Sequence, residues 1–202
     1  MKKFPKKKYN KSNLFFQDYS RTKSELIDKL DYKVISQICT FIEKTIRNKK
    51  NIFVCGNGGS ASVANHFICD FNKGIKISSR NKVVPRIISL NLSNELITAI
   101  GNDLSFSKIF SHQLENYANF GDCLITLSCS GNSKNIVDAI RFAKKKKIRV
   151  ISLTGFQSKS YIKTDYHLDI GCQNYGICED IFQSLMHMIS QYIRQKFEIK
   201  NL

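Results

Sequence analysis

Apolar residues along this chain fall into two alternating patterns. Short β-forming runs occur at Asn51 to Cys55, Arg86 to Leu92, Cys123 to Leu127, Arg149 to Thr154 and Tyr166 to Ile170. Their length and near-continuous apolarity predict strands buried in a sheet. Between them the spacing turns helical. Val34, Ile35, Ile38, Cys39, Ile42 and Ile46 predict a helix over Tyr32 to Ile46, after a shorter one over Ser24 to Leu30. Ser93 caps a helix from Asn94 to about Ile100, which Gly101, Asn102 and Asp103 break. Further helices are predicted over Ser107 to Ala118, Lys134 to Lys145 and Glu179 to about Phe197. In the last, Ile181, Leu185, Met188, Ile189, Tyr192 and Ile193 share a stripe.

Strands that alternate with helices imply βαβ units and a mainly parallel sheet with helices on both faces. The expected class is therefore α/β, a three-layer sandwich. Ligands in such folds bind at the carboxyl ends of strands. Residues 24–200 are read as one domain. Residues 1–23 are read as a basic arm, poorly ordered over its first dozen residues.

Two strand ends carry chemistry. Asn51 to Gly74 reads as strand, glycine-rich turn, helix, with Gly56, Asn57, Gly58 and Gly59 ahead of Ser60. A helix that starts there points unpaired N–H groups and its positive dipole end at the turn, which suits an anion such as phosphate. The second end is Ser128-Cys129-Ser130-Gly131-Asn132-Ser133, three hydroxyls and a glycine before a helix. Such a loop can hold a phosphate dianion without a fixed positive charge. On the first helix, His66 and Asp70 are four residues apart and share a face. They suit a metal or acid–base pair as well as a plain surface hydrogen bond. His187 lies on the apolar stripe of the last helix, where a histidine is usually a core residue. His112 and His167 are read as structural.

Composition narrows the class. The 202 residues carry a formal net charge of +16, and residues 1–50 hold 14 Lys+Arg against 5 Asp+Glu. No DNA-binding motif or aromatic-interleaved basic stretch accompanies that charge, so it reads as a solvated lysine surface that favours anionic substrates rather than nucleic acid. No apolar run approaches a membrane span. The basic start lacks the apolar core of a signal peptide, so a cytoplasmic location is expected. Seven cysteines occur with no C-x-x-C pair, mostly inside apolar runs, which predicts reduced, buried thiols.

The stretches CGNGGSASVANHF and LSCSGNSKNIVDAIRFAKKKKIRVISLTG together resemble the sugar isomerase (SIS) domain. With NHFICDF and IGND they resemble, more narrowly, the phosphoheptose isomerases, which interconvert sedoheptulose 7-phosphate and D-glycero-D-manno-heptose 7-phosphate. The likeness runs over about residues 33–197. It implies a flavodoxin-like fold with a five-stranded parallel sheet, and a homotetramer with active sites between subunits. It implies substrate binding by Asn57, Gly58, Ser60, Ser128, Ser130 and Ser133, and by Asp103 of the GND motif. It also implies one Zn²⁺ per subunit, held by His66, Asp70, Glu179 and His187, with Glu179 also touching substrate. Asp70 and His187 would be the acid–base pair of an aldose–ketose isomerisation through an enediol, in nucleotide-heptose biosynthesis for lipopolysaccharide or capsule.

Two positions depart from the family pattern. Asp70 stands where a glutamate is expected, and Glu179 where a glutamine is expected. The resulting donor set suits Zn²⁺ and tolerates a harder divalent ion. Eight helical residues span ~12 Å along the axis, so Glu179 and His187 meet at one ion only by reaching toward each other or by coming from different subunits. The alternative function within the same domain type is a non-catalytic protein that binds a phosphosugar or the replication initiator.

Overall fold

The structure is a computed structural model that describes residues 1–156 and 162–198. In chain order its elements are β1 (Lys2–Lys3), α1 (Ser12–Ile27), α2 (Tyr32–Arg47), β2 (Asn51–Gly56) and α3 (Gly59–Ile68). α3 continues through a π-helical segment, Cys69–Ile75, into α4 (Lys76–Ser78). Then come β3 (Arg86–Ser89), α5 (Asn94–Asp103), a 3-10 turn at Phe106–Lys108, α6 (Ser111–Tyr117), β4 (Cys123–Ser128) and α7 (Lys134–Lys145). β5 (Arg149–Thr154), β6 (Tyr166–Asp169), β7 (Cys172–Gln173) and α8 (Tyr175–Phe197) complete it.

Five strands form one parallel sheet in the order β3-β2-β4-β5-β6. β2, β4 and β5 are buried along almost their whole length, as strands covered on both faces must be. β3 alternates exposed and buried residues because it is an edge. Val54 pairs with Ile125, Ile125 with Ile151 and Ile151 with Tyr166, so side chains stack in layers across the sheet. Alternation along each strand sends Ile52, Val54 and Ile125 to one core, with Ile42, Phe67 and Phe182. It sends Phe53 and Leu124 to the other, with Phe110 and Ile140. Full burial of side chains such as Phe182 and Leu185 contributes about 1.5–3 kcal/mol each and fixes α8 against the sheet.

Most expected elements are present, and the differences have local causes. The amino-terminal residues are not a free arm. Lys2 and Lys3 pair in parallel with Cys172 and Gln173. Phe4 is buried among Tyr9, Phe15 and Tyr19. The first helix begins at Ser12 rather than Ser24, because Phe15, Tyr19, Thr22 and Leu26 recur at helical spacing and pack inward. The Asp31 side chain then caps α2 through Lys33 N and Val34 N. Gly101, Asn102 and Asp103 do not break their helix but form its last turn. A glycine in a helix costs only about 1 kcal/mol, which packing offsets. α8 begins at Tyr175, where the Asn174 side chain caps Ile177 N, so Glu179 lies in the second turn. Residues 199 and 200 of the expected domain lie outside the described residues. Six cysteines are buried, Cys69 is exposed, and all seven are free. Among the described residues, no helix is long and apolar enough to cross a membrane.

Candidate active site

The first turn sits at the carboxyl end of β2. Gly58 caps α3 at φ +55°, a left-handed conformation that a β-carbon would strain. Gly59 is covered by the Glu179 carboxylate so closely that an added β-carbon would clash with it. Ser60 donates its hydroxyl to Glu179 Oε1 at 3.3 Å. The positive end of α3 therefore already faces one of the chain's own carboxylates. The Asn57 side chain is also engaged. Its Nδ2 donates to Asn135 Oδ1 at 2.9 Å, and Asn135 Nδ2 donates back to Asn57 Oδ1 at 2.8 Å. This amide pair ties the first turn to the start of α7.

The second loop follows β4. Ser128 Oγ accepts from Gly131 N at 3.2 Å, and Ser130 Oγ accepts from Asn132 N at 3.3 Å. Gly131 has φ +68°, and Ser133 is the N-cap of α7 without a side-chain cap bond. The Cys129 carbonyl accepts from Gly155 N and Phe156 N, so the end of β5 holds the loop in place. A hydrogen bond from Cys178 pulls the Cys129 thiol below its usual range. Together the two loops line a cavity of ≈460 Å³ with the hydroxyls of Ser60, Ser128, Ser130 and Ser133, plus Tyr175 and Glu179.

A second group forms where α8 crosses the far end of α3. His66 Nε2 and His187 Nε2 are 2.9 Å apart. Asp70 places one oxygen 3.6 Å from His66 Nε2 and the other 3.6 Å from His187 Nε2. His66 is still α-helical, whereas Asp70 stands in the π-helical segment. A π turn inside a helix frequently marks a functional site. Gln183 Nε2 lies 2.8 Å from His187 Nε2, one turn earlier on α8. Ser190 Oγ is 3.5 Å from Asp70 Oδ2. Asp70 and His187 also line a cavity of ≈290 Å³ with Lys73 and Arg194, cations suited to developing negative charge.

One ligand atom each from His66, Asp70 and His187 lies within 4.8 Å of the others. Two imidazoles and a carboxylate with a fourth position open are the donor set of a catalytic zinc site. Gln183 meets the same His187 Nε2 that faces His66 and Asp70, so with an ion bound it would turn its carbonyl oxygen inward as a further donor. The residues present thus fit a divalent ion.

Within one chain the expected site residues divide into two groups. Asn57, Gly58, Ser60, Ser128, Ser130, Ser133 and Glu179 gather at the loop cavity. His66, Asp70 and His187 gather at the helix crossing. Glu179 is not in the metal cluster of its own chain, since two helical turns of α8 separate it from His187. Asp103 joins neither cavity: it is exposed at the end of α5, where Asn102 Nδ2 donates to it at 2.8 Å. Gln183 and Asn135 were not expected. A glutamine one turn before His187, and an asparagine two residues after Ser133, were the available signals.

Comparison with known proteins is consistent with this geometry. The SIS domain family matches residues 15–155. The phosphoheptose isomerase of Campylobacter concisus is 35% identical over 160 residues, 79% of this chain and 83% of that protein. The structure of the phosphoheptose isomerase from Neisseria gonorrhoeae superposes with a TM-score of 0.80 at 27% identity, covering 91% of this chain and 97% of the other. That of Francisella tularensis gives 0.79 at 28% identity, covering 91% and 96%. The chain therefore belongs to the SIS domain family and, within it, to the phosphoheptose isomerases.

Proposed function

We propose that the chain interconverts sedoheptulose 7-phosphate and D-glycero-D-manno-heptose 7-phosphate, for nucleotide-heptose biosynthesis toward lipopolysaccharide or capsule. The observation that carries this reading is the convergence of Asp70 and His187 beside His66. In the ketose-to-aldose direction, Asp70 takes the proton from C1 and returns it to C2. His187 donates to the O2 carbonyl and receives the proton from O1, so the enediol forms and collapses with every proton accounted for. Zn²⁺ on His66, Asp70 and His187 would polarise the carbonyl and hold the hydroxyls, with His187 then moving its proton at the ring nitrogen that does not bind the ion.

The phosphate belongs at the second loop, where Ser128, Ser130, Ser133 and the open end of α7 offer donors. The first loop faces Glu179 and suits sugar hydroxyls instead. Binding energy at the phosphate then positions the reacting carbons. The loop cavity and the cluster have no lining residue in common. This supports an active site in which the loop cavity of one protomer meets the cluster of its neighbour, in a homotetramer.

The test is a coupled assay with sedoheptulose 7-phosphate on metal-stripped protein. Turnover should be lost on stripping and restored by Zn²⁺. Stripped protein with undiminished turnover would remove the metal from this account, and no turnover under any metal would remove the reaction.

A further inference from the structure

A cavity of ≈870 Å³ lies at the opposite end of the sheet from the serine loops. Arg149 and Tyr166, the first residues of β5 and β6, line it, as does Asp122 just ahead of β4. The serine loop follows the far end of β4, about 20 Å away at the rise of a six-residue strand. The two cavities are therefore separate sites.

This cavity is basic. Lys33 and Lys44 of α2 reach it from one side, Lys147 and Arg149 from the other, and all four are exposed. Among the described residues none of the four forms an ion pair. Asp122 is the acidic residue in its wall, but it is buried and its oxygens already accept from Asn51 N, Asn51 Nδ2 and Asn119 N. The four positive charges are thus not neutralised from within.

The cavity also offers rings. Phe41 stacks on Tyr166 with centroids 5.4 Å apart, and the Arg149 guanidinium stands 5.5 Å from the Phe41 centroid. That column fixes the direction of Arg149. Phe120 also lines the cavity and is 73% exposed, an aromatic ring within reach of a flat ligand. Several cations around one open-mouthed cavity, with an exposed aromatic residue in its lining, fit a ligand with an aromatic base and more than one phosphate charge. The volume is within the range of small-molecule sites.

We propose that this cavity binds a nucleoside diphosphate, the base against Phe120 and the phosphates against Lys44, Lys147 and Arg149. The cations converge on one cavity rather than track along a face, which favours a discrete ligand over a nucleic-acid strand.

The test is calorimetric titration of the intact protein with ADP near physiological salt. Saturable binding at one site per chain is expected, unaffected by saturating sedoheptulose 7-phosphate. The Lys44→Glu/Arg149→Glu double variant should weaken it by about tenfold or more, since charge-assisted contacts are replaced by repulsion. Its isomerase turnover without nucleotide should match the parent. Lys44→Glu alone, on the exposed face of α2, serves if the double variant fails to fold, and should weaken binding at least several-fold. The proposal is overturned by absence of saturable binding, by displacement with the sugar phosphate, or by indifference to the variants. It is also overturned if pyrophosphate binds as tightly as ADP, or if single-stranded RNA binds more tightly with a steep salt dependence.

Discussion

At the carboxyl ends of β2 and β4, the hydroxyls of Ser128 and Ser130 are fixed by backbone N–H groups two or three residues away. At the crossing of α3 and α8, His66 and His187 meet from positions 121 residues apart, held by the packing of α8 and by contacts among Asp70, Gln183 and the two imidazoles. The serine hydroxyls are set by local backbone turns, and longer-range bonds from Asn135, Gly155 and Phe156 hold the loops in place. The cluster is a tertiary product that depends on α8 lying where Phe182 and Leu185 pin it. The first arrangement suits recognition of an unchanging phosphate. The second suits proton transfer, where small changes of position alter rate more than affinity.

Changes in the cluster should therefore act on turnover, and changes in the loops on binding. The largest effect is expected for Asp70→Asn and His187→Ala. Each should lower kcat by about 10²–10⁴-fold, the usual worth of a placed acid or base. Thermal-shift titration with the sugar phosphate should still show binding. Loss of binding instead would erase the distinction between the two regions.

Gln183→Ala sharpens the same contrast at lower cost. Removing the amide beside the ligating nitrogen of His187 takes away a candidate further donor and should weaken metal affinity. Competition for Zn²⁺ against a chelating dye reads this directly, and an unchanged affinity together with unchanged kcat would make Gln183 a bystander.

Asn135→Ala addresses the loops. It leaves the half-buried Asn57 amide to solvent in the cavity, at a cost of about 1 kcal/mol in stability. KM should rise by more than kcat falls. An effect on kcat alone would mean that the amide pair serves chemistry rather than the shape of the cavity.

The same division explains what could be read from the sequence. β4, α7 and β5 follow directly from apolar runs bounded by serine, glycine and lysine, and the serine loop lies between two of them. His66 and Asp70 are one turn apart, so their shared face needed only helical spacing. His187 could be placed with them only through family likeness, because nothing in its apolar stripe announces a partner on another helix. Gln183 and Asn135 escaped notice for the same reason: an amide's role depends on what it meets. The pairing of Lys2 and Lys3 with Cys172 and Gln173 joins residues at opposite ends of the chain, in runs too short to carry a period. The π-helical segment beneath Asp70 also has no periodic signature, since it changes the helical repeat over only a few residues.

An active site shared between the loop cavity of one protomer and the cluster of another, as proposed, is tested by mixed oligomers. Ser130→Asp puts a negative charge in the loop proposed to hold the phosphate, and His187→Ala removes the proposed acid, so each homo-oligomer should be inactive. Equal mixtures formed by co-expression should recover about a quarter of parental turnover, because one pairing of chains in four reunites an intact loop with an intact cluster. Mixed oligomers with no recovered activity, despite confirmed exchange of subunits, would show that each chain carries its whole site and would contradict this account.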